Sequence, residues 1–368
     1  MKYITEYRDK ELAKKLVADI AKEARPDRNY RLMEFCGGHT HVISRYGLEG
    51  ILPKNVRMIH GPGCPVCVMP IGRIDSAIEL ALEHGVILCT YADTMRVPAS
   101  KGLSLMKAKA QGSDIGMIYS AADCLDIARA NPDKNVVFFA IGFETTTPAT
   151  AVVLKQAKAE GLKNFFVFCN HVLTPPAMRH ILKNQEKVQI EGFVGPAHVS
   201  TIIGSEPYET FAKDYSKPVV IAGFEPLDML QSILMLIRQI NRGEAEVENE
   251  FTRAVRPEGN MKAIRMMEEV FALRDSFEWR GLGSVPKSAL KLSDAYSDFD
   301  AEKHFNLVYR SVPDNKACEC GAILRGEKQP SDCRAFGTVC TPESPIGSCM
   351  VSSEGACAAY FTYGRHKR

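Results

Sequence analysis

The sequence has almost no excess of charge of either sign. Its 46 basic and 44 acidic side chains leave a formal net charge of +2 over 368 residues, so no global field draws it to nucleic acid or an anionic membrane. No apolar run approaches the roughly 20 residues needed to span a bilayer. The opening MKYITEYRDKELAKKLV is charged and amphipathic, without the apolar centre of a signal peptide, and a cytoplasmic protein is expected. The nucleotide-binding patterns G-x-x-x-x-G-K-[ST] and G-x-G-x-x-G are missing, as is the nucleophile elbow G-x-S-x-G. With 45% hydrophobic residues the chain can bury a full core, and its length fits two or three domains.

Cysteine is what the chain has in abundance. Twelve are present, and in a reducing compartment clustered thiols point to metal binding, redox chemistry or catalysis rather than to disulfides. Cys89 (VILCT), Cys124 (AADCLDI) and Cys169 (FFVFCN) lie inside apolar runs and read as small packing residues. The other nine sit among glycines and prolines, where packing does not account for them.

Between residues 30 and 240, short β-rich runs alternate with amphipathic helical stretches. Strands are predicted at 30–35, 56–60, 86–90, 114–119, 136–141, 165–169, 192–194 and 218–222, with helices at 73–83, 149–160, 176–183 and 227–240. This alternation predicts βαβ units and parallel sheets, an α/β fold. The triplet GFE recurs at Gly142-Phe143-Glu144 and Gly223-Phe224-Glu225, and a His-Val pair at His171-Val172 and His198-Val199. That echo favours two smaller sheets over one large one. Residues 244–300 read as long charged helical stretches followed by a Gly- and Pro-bearing run. Residues 313–357 carry six cysteines and little periodicity, so something other than an apolar core must staple them. The expected division is 1–125, 126–243 and a helical, Cys-rich 244–368.

Four motifs carry chemistry. Cys36-Gly37-Gly38-His39-Thr40-His41 follows a predicted strand and opens a helix, at the sheet edge where open α/β folds bind ligands. The glycines let backbone approach a ligand, and the helix N-terminus is expected to favour a Cys36 thiolate. Gly61-Pro62-Gly63-Cys64-Pro65-Val66-Cys67 occupies the same kind of edge. Its C-x-x-C is either a redox dithiol or part of a three-thiol site shared with Cys36. Gly142-Phe143-Glu144-Thr145-Thr146-Thr147-Pro148 is a strand-to-helix turn. It reads equally as a Thr-capped helix start and as a ligand edge where Glu144 binds an anion or passes protons. In the tail, Cys318, Cys320, Cys333, Cys340, Cys349 and Cys357 offer more thiolates than the four a [4Fe–4S] cluster or a structural zinc needs. Their irregular spacing matches neither a zinc ribbon nor a bacterial ferredoxin run, and it suits a cubane held by loops.

These motifs, in this order across residues 36 to 357, resemble the HypD family of hydrogenase maturation proteins. The resemblance implies two Rossmann-like α/β domains with parallel sheets and a smaller Cys-rich iron–sulfur domain. It implies a redox-active scaffold, rather than a conventional turnover enzyme, that works with a HypC-type small chaperone. On that scaffold the iron of a nickel–iron hydrogenase receives two cyanides and one carbon monoxide. A HypE-type protein donates the cyanide, and the hydrogenase large subunit receives the product. Carried onto this sequence, the iron site falls on Cys36, Cys64 and Cys67, with His39 and His41 as supporting or proton-handling groups. The cluster falls on Cys318, Cys333, Cys340 and Cys357. Cys320 and Cys349 remain as a redox pair resembling that of ferredoxin–thioredoxin reductase, a thiol–disulfide oxidoreductase that is the competing reading. No nucleic acid and no membrane is implied.

Overall fold

A computed structural model describes residues 5–184 and 189–364. In chain order the strands are β1 (Tyr30–Glu34), β2 (Val56–His60), β3 (Ile87–Thr90), β4 (Ile115–Met117), β5 (Val136–Gly142), β6 (Phe165–His171) and β7 (Gly192–Gly195). They continue with β8 (Val219–Ile221), β9 (Val247–Asn249), β10 (Phe271–Leu273), β11 (Ser276–Trp279), β12 (Gly283–Pro286) and β13 (Leu290–Leu292). All eight predicted strands form, with ends shifted by two residues at most. Among the described residues no helix is long and apolar enough to cross a membrane.

β1 to β9 build two parallel sheets, in the orders β2-β1-β7-β8-β9 and β4-β3-β5-β6. Helices cover both faces, so the central strands read as continuous apolar runs; β5 (VVFFAIG) and β6 (FFVFCNH) are buried at every position. The expected boundary at residue 125 does not separate the sheets. β3 to β6 are set into the chain between β2 and β7, so the first sheet takes strands from both ends of the α/β region. Periodicity identifies strands but not their distant partners.

β1, β2, β7, β8 and β3, β4, β5, β6 share one strand order, second-first-third-fourth. The short motif echo does not follow it. GFE closes the third strand of one set and follows the fourth strand of the other, and the His-Val pairs are exchanged in the opposite sense.

Residues 244–300 depart from the helical expectation. One helix, Met261–Val270, is followed by two antiparallel pairs, β10 with β13 and β11 with β12. The signal was the alternation in β11, where Phe277 and Trp279 are buried between more exposed neighbours. The Cys-rich tail does not form an apolar core of its own. Cys320, Cys340, Cys349 and Cys357 join the same buried cluster as Cys64, Cys67 and the sheet residues Met33 and Phe139. Its last helix, Ala356–Gly364, packs on the helix Gly37–Tyr46, with the rings of His41 and Tyr363 5.2 Å apart.

Candidate functional site

Strand order reverses between β1 and β7 in one sheet and between β3 and β5 in the other. At such points the loops leaving neighbouring strands diverge and open a crevice at the carboxyl edge. Here both crevices face one cleft of about 410 Å³. Cys36 and His198 line it from the first sheet, Asp93 and Thr146 from the second, and Glu354 from the tail.

Cys36 caps the helix Gly37–Tyr46, and its backbone N–H donates to Glu34 Oε2 at 2.9 Å. Its Sγ lies 3.8 Å from His198 Nδ1. The helix N-terminus does not produce the thiolate expected from sequence. Burial and the facing Glu354 carboxylate push the Cys36 thiol up to about 12, outweighing the Gly38 N–H. Glu34 is fully buried and also accepts from Thr40 Oγ1 and from His60 Nδ1, the latter at 2.9 Å. It thereby pins the Cys36 turn to the end of β2. A Cβ at Gly63 would overlap the Cys36 backbone nitrogen, so glycine there lets the two Cys-bearing loops touch.

Neither histidine named from sequence as a supporting or proton-handling group lines the cleft itself. His39 is buried behind the cleft; its Nε2 donates to the Ala222 carbonyl at 2.9 Å, and burial lowers its pKa. His41 faces Tyr363 in the tail. The histidine beside the Cys36 sulfur is His198, which sequence reasoning noted only as part of a repeat. Glu354 was missed altogether. The available signals were the position of His198 just past β7, a strand-edge position like that of Cys36, and an acidic residue lodged between two tail cysteines.

Glu144 does not line the cleft, although its neighbours Phe143, Thr145 and Thr146 do. It is buried and accepts from Thr174 N–H at 2.8 Å and from Thr174 Oγ1 at 3.0 Å, at the start of the helix Thr174–Lys183. Burial raises its carboxyl to about 7.

Cys64 and Cys67 turn inward. Cys67 N–H donates to Cys64 Sγ at 3.3 Å across a short helical turn. Burial, together with the neighbouring Cys349 and Cys64 thiols, pushes the Cys67 thiol well above its ordinary pKa. The neighbouring Cys320 and Cys67 thiols bring Cys349 down to about 6 despite burial. Cys320 in turn stands beside Cys318 and Cys357 in one cavity wall. The thiols thus form a continuous chain, Cys64–Cys67–Cys349–Cys320, that ends at the tail cavity. The expected gathering of Cys36, Cys64 and Cys67 around one point is not present. Cys67 meets Cys349 instead, while Cys36 faces the cleft. Among the described residues no three Cys, His, Asp or Glu side chains already stand where they would hold one metal ion.

The tail cavity is small and walled by Cys318, Cys320, Cys333, Cys340 and Cys357, with apolar side chains such as Phe336 and Met350 filling the gaps. A Cβ at Gly347 would overlap the sulfurs of Cys318 and Cys320. Five soft donors in a wall otherwise apolar except for Glu319 could hold an iron–sulfur cluster with one thiol to spare.

A family model described as "HypD: Hydrogenase formation hypA family" matches residues 11–364. The chain is 65% identical over 372 residues to the hydrogenase maturation factor HypD of Cupriavidus necator, covering 100% of this chain and 98% of that protein. It is 62% identical to the HypD of Azotobacter vinelandii over 372 residues, with the same coverage. Against the HypD of Escherichia coli the identity is 45% over 368 residues, covering 99% of this chain and 98% of that protein.

Proposed function

Because this chain belongs to the HypD family of hydrogenase maturation factors, we propose that with a HypC-type partner it holds the hydrogenase iron while two cyanides and one carbon monoxide are added. A HypE-type donor supplies the cyanide. The observation that carries this reading is the cleft in which the Cys36 sulfur stands beside His198 and faces Glu354, above the thiol chain Cys64–Cys67–Cys349–Cys320 that runs to the Cys-lined cavity.

Iron is the cargo, and Cys36 is its anchor in the cleft. A thiol binds as its thiolate, so its proton must leave. His198 Nδ1, at 3.8 Å, is the group placed to accept it. Bound iron replaces the proton and neutralises the repulsion that Glu354 now exerts on a Cys36 thiolate. Cyanide arrives as a thiocyanate, and freeing it takes two electrons. The dithiol of Cys64 and Cys67 supplies them: the S–CN bond breaks, two protons move to the donor sulfur and to cyanide, and an S–S bond forms between the two cysteines. Cys349, poised as a thiolate, is the nucleophile that reopens that bond, passing the disulfide on to the Cys320–Cys349 pair by exchange.

The five thiols of the tail cavity fit a [4Fe–4S] cluster, with Cys318, Cys333, Cys340 and Cys357 as holders and Cys320 left to face Cys349. Such a cluster supplies single electrons at low potential. A pure thiol–disulfide reductase is favoured by the same relay, but it has no use for a cleft built around Cys36, His198 and Glu354.

The test is an anaerobic infrared spectrum of the chain co-purified with its small partner, for wild type and Cys36→Ser. Bands of iron-bound cyanide and carbon monoxide are expected in the wild type and lost in the variant, while the brown colour of the cluster stays. Retained bands would move the anchor elsewhere, and wild type without bands would favour the reductase.

A further inference from the structure

Each turn of the dithiol chemistry leaves a disulfide, so two electrons must reach the thiol chain from outside. The tail cavity shares one wall residue, Ile346, with a second cleft of about 600 Å³ on its outer side. The Ile346 N–H donates to Cys340 Sγ at 3.4 Å. A single residue therefore separates the outer cleft from a cysteine of the cavity. Arg96 donates to the Pro342 carbonyl and ties the two banks of the cleft together.

The outer cleft is cationic. Arg96, Lys101 and Lys107 line it, and Glu343 is its one carboxylate among the described residues. With a net charge of only +2 over the whole chain, attraction for an anionic partner must come from such a local patch. Lys101 sits at φ 55 and ψ 26, a left-handed conformation that glycine adopts without strain and lysine does not. Met106, 49% exposed, adds a flexible apolar contact between the lysines.

We propose that this cleft is the docking surface for a small acidic one-electron carrier of the iron–sulfur protein class, which passes electrons to the tail cavity across Ile346. The proposal rests on reading that cavity as a cluster site. Per cycle, two reduced carriers each give up one electron. The Cys320–Cys349 S–S bond breaks, two protons are taken up, two thiols form and two oxidised carriers leave.

The experiment uses the full chain, purified anaerobically, and an acidic plant-type [2Fe–2S] ferredoxin as probe. Calorimetry measures its binding at low and high salt to wild type, to Lys101→Gln/Lys107→Gln and to Lys101→Glu/Lys107→Glu. Thiol counting follows disulfide reduction by the reduced probe and, separately, by dithiothreitol. Wild-type binding should weaken with salt, the charge-reversed variant should bind about tenfold or more weakly, and the neutral variant should fall between. Reduction by ferredoxin should slow in the same order while reduction by dithiothreitol does not change. Equal binding by all three proteins, or none by brown wild type, overturns the docking surface alone. A colourless, zinc-containing wild type overturns the cluster reading and this proposal with it.

Discussion

Cys67 and Cys349 meet thiol to thiol, one from the turn after β2 and the other from the C-terminal tail. Ser348 fixes the contact by donating its hydroxyl to the Cys67 carbonyl at 2.7 Å. In the reduced chain the Cys320 and Cys67 thiols bring Cys349 down to about 6; once Cys64 and Cys67 have closed a disulfide, Cys320 is the thiol left to favour a Cys349 thiolate, the attacking sulfur.

Replacing Cys349 by Ser should cut the relay without removing the cluster, because Cys349 does not line the tail cavity. Brown colour is expected to persist. Reduction of the Cys64–Cys67 disulfide by electrons fed through the cluster should slow by at least about tenfold, since serine cannot exchange with a disulfide. Alkylation and peptide mass spectrometry of Cys64 and Cys67 after anaerobic photoreduction measures it. An unchanged rate would remove Cys349 from the path.

Glu354→Gln should lower the pKa of Cys36, because the substitution removes the negative charge facing its thiolate. Burial remains, so the shift is partial. The pH profile of Cys36 alkylation, read on its own peptide, should move to lower pH. Movement in the other direction would mean that Glu354 supports the thiolate.

Glu34→Ala should destabilise the fold by roughly 3–5 kcal/mol, as removal of one partner from a buried, charge-assisted network does. It orphans the Cys36 N–H, the Thr40 hydroxyl and His60 Nδ1 together. Thermal unfolding tests the size of the loss. A change below about 1 kcal/mol, the worth of a single ordinary hydrogen bond, would show that the network is not a structural tie.

Glu144 gives a pH prediction with a definite sign. Its folded carboxyl titrates near 7 against an ordinary 4.5, so the folded state binds a proton that the unfolded state releases. The resulting stability is fully present below 4.5 and declines as pH rises to about 7. Glu144→Gln keeps an acceptor for Thr174 N–H and removes the titration. Its stability relative to wild type should therefore grow between pH 4.5 and 7, by up to about 3 kcal/mol. Denaturant melts at pH 5 and pH 8 compare them, and parallel curves would contradict the assignment.

Several features were legible in residues 30–240 because strand and helix periodicities are local. The eight strands, the loops bearing Cys36 and Cys64 at sheet edges, and the helix after Thr146 all follow from runs of a dozen residues. β10 and β11 were lost because strands of three or four residues among charged neighbours leave too short an alternation to outweigh a helical reading, and β12 and β13 because they lie in the Gly- and Pro-bearing run. Glu144 was read equally as a cleft residue and as part of a capped helix start, and only the structure places it under the cleft. A polar residue beside a functional turn looks the same in sequence whether it points into the cleft or under it.

The sequence by itself determined the chemistry available: nine thiols outside apolar strands and helices, two of them in a C-x-x-C turn and six in a tail too poor in apolar residues to fold alone. It also determined the family, since the motif order survives without reference to space. Only the tertiary structure decided which thiols meet. Strands β3 to β6 are inserted between β2 and β7, so the two reversal points of strand order face one another across the Cys36 cleft. The tail then packs into the same core and brings Cys349 onto Cys67. Those contacts join residues far apart in the chain, and they arise because one buried apolar cluster takes side chains from both sheets and from the tail.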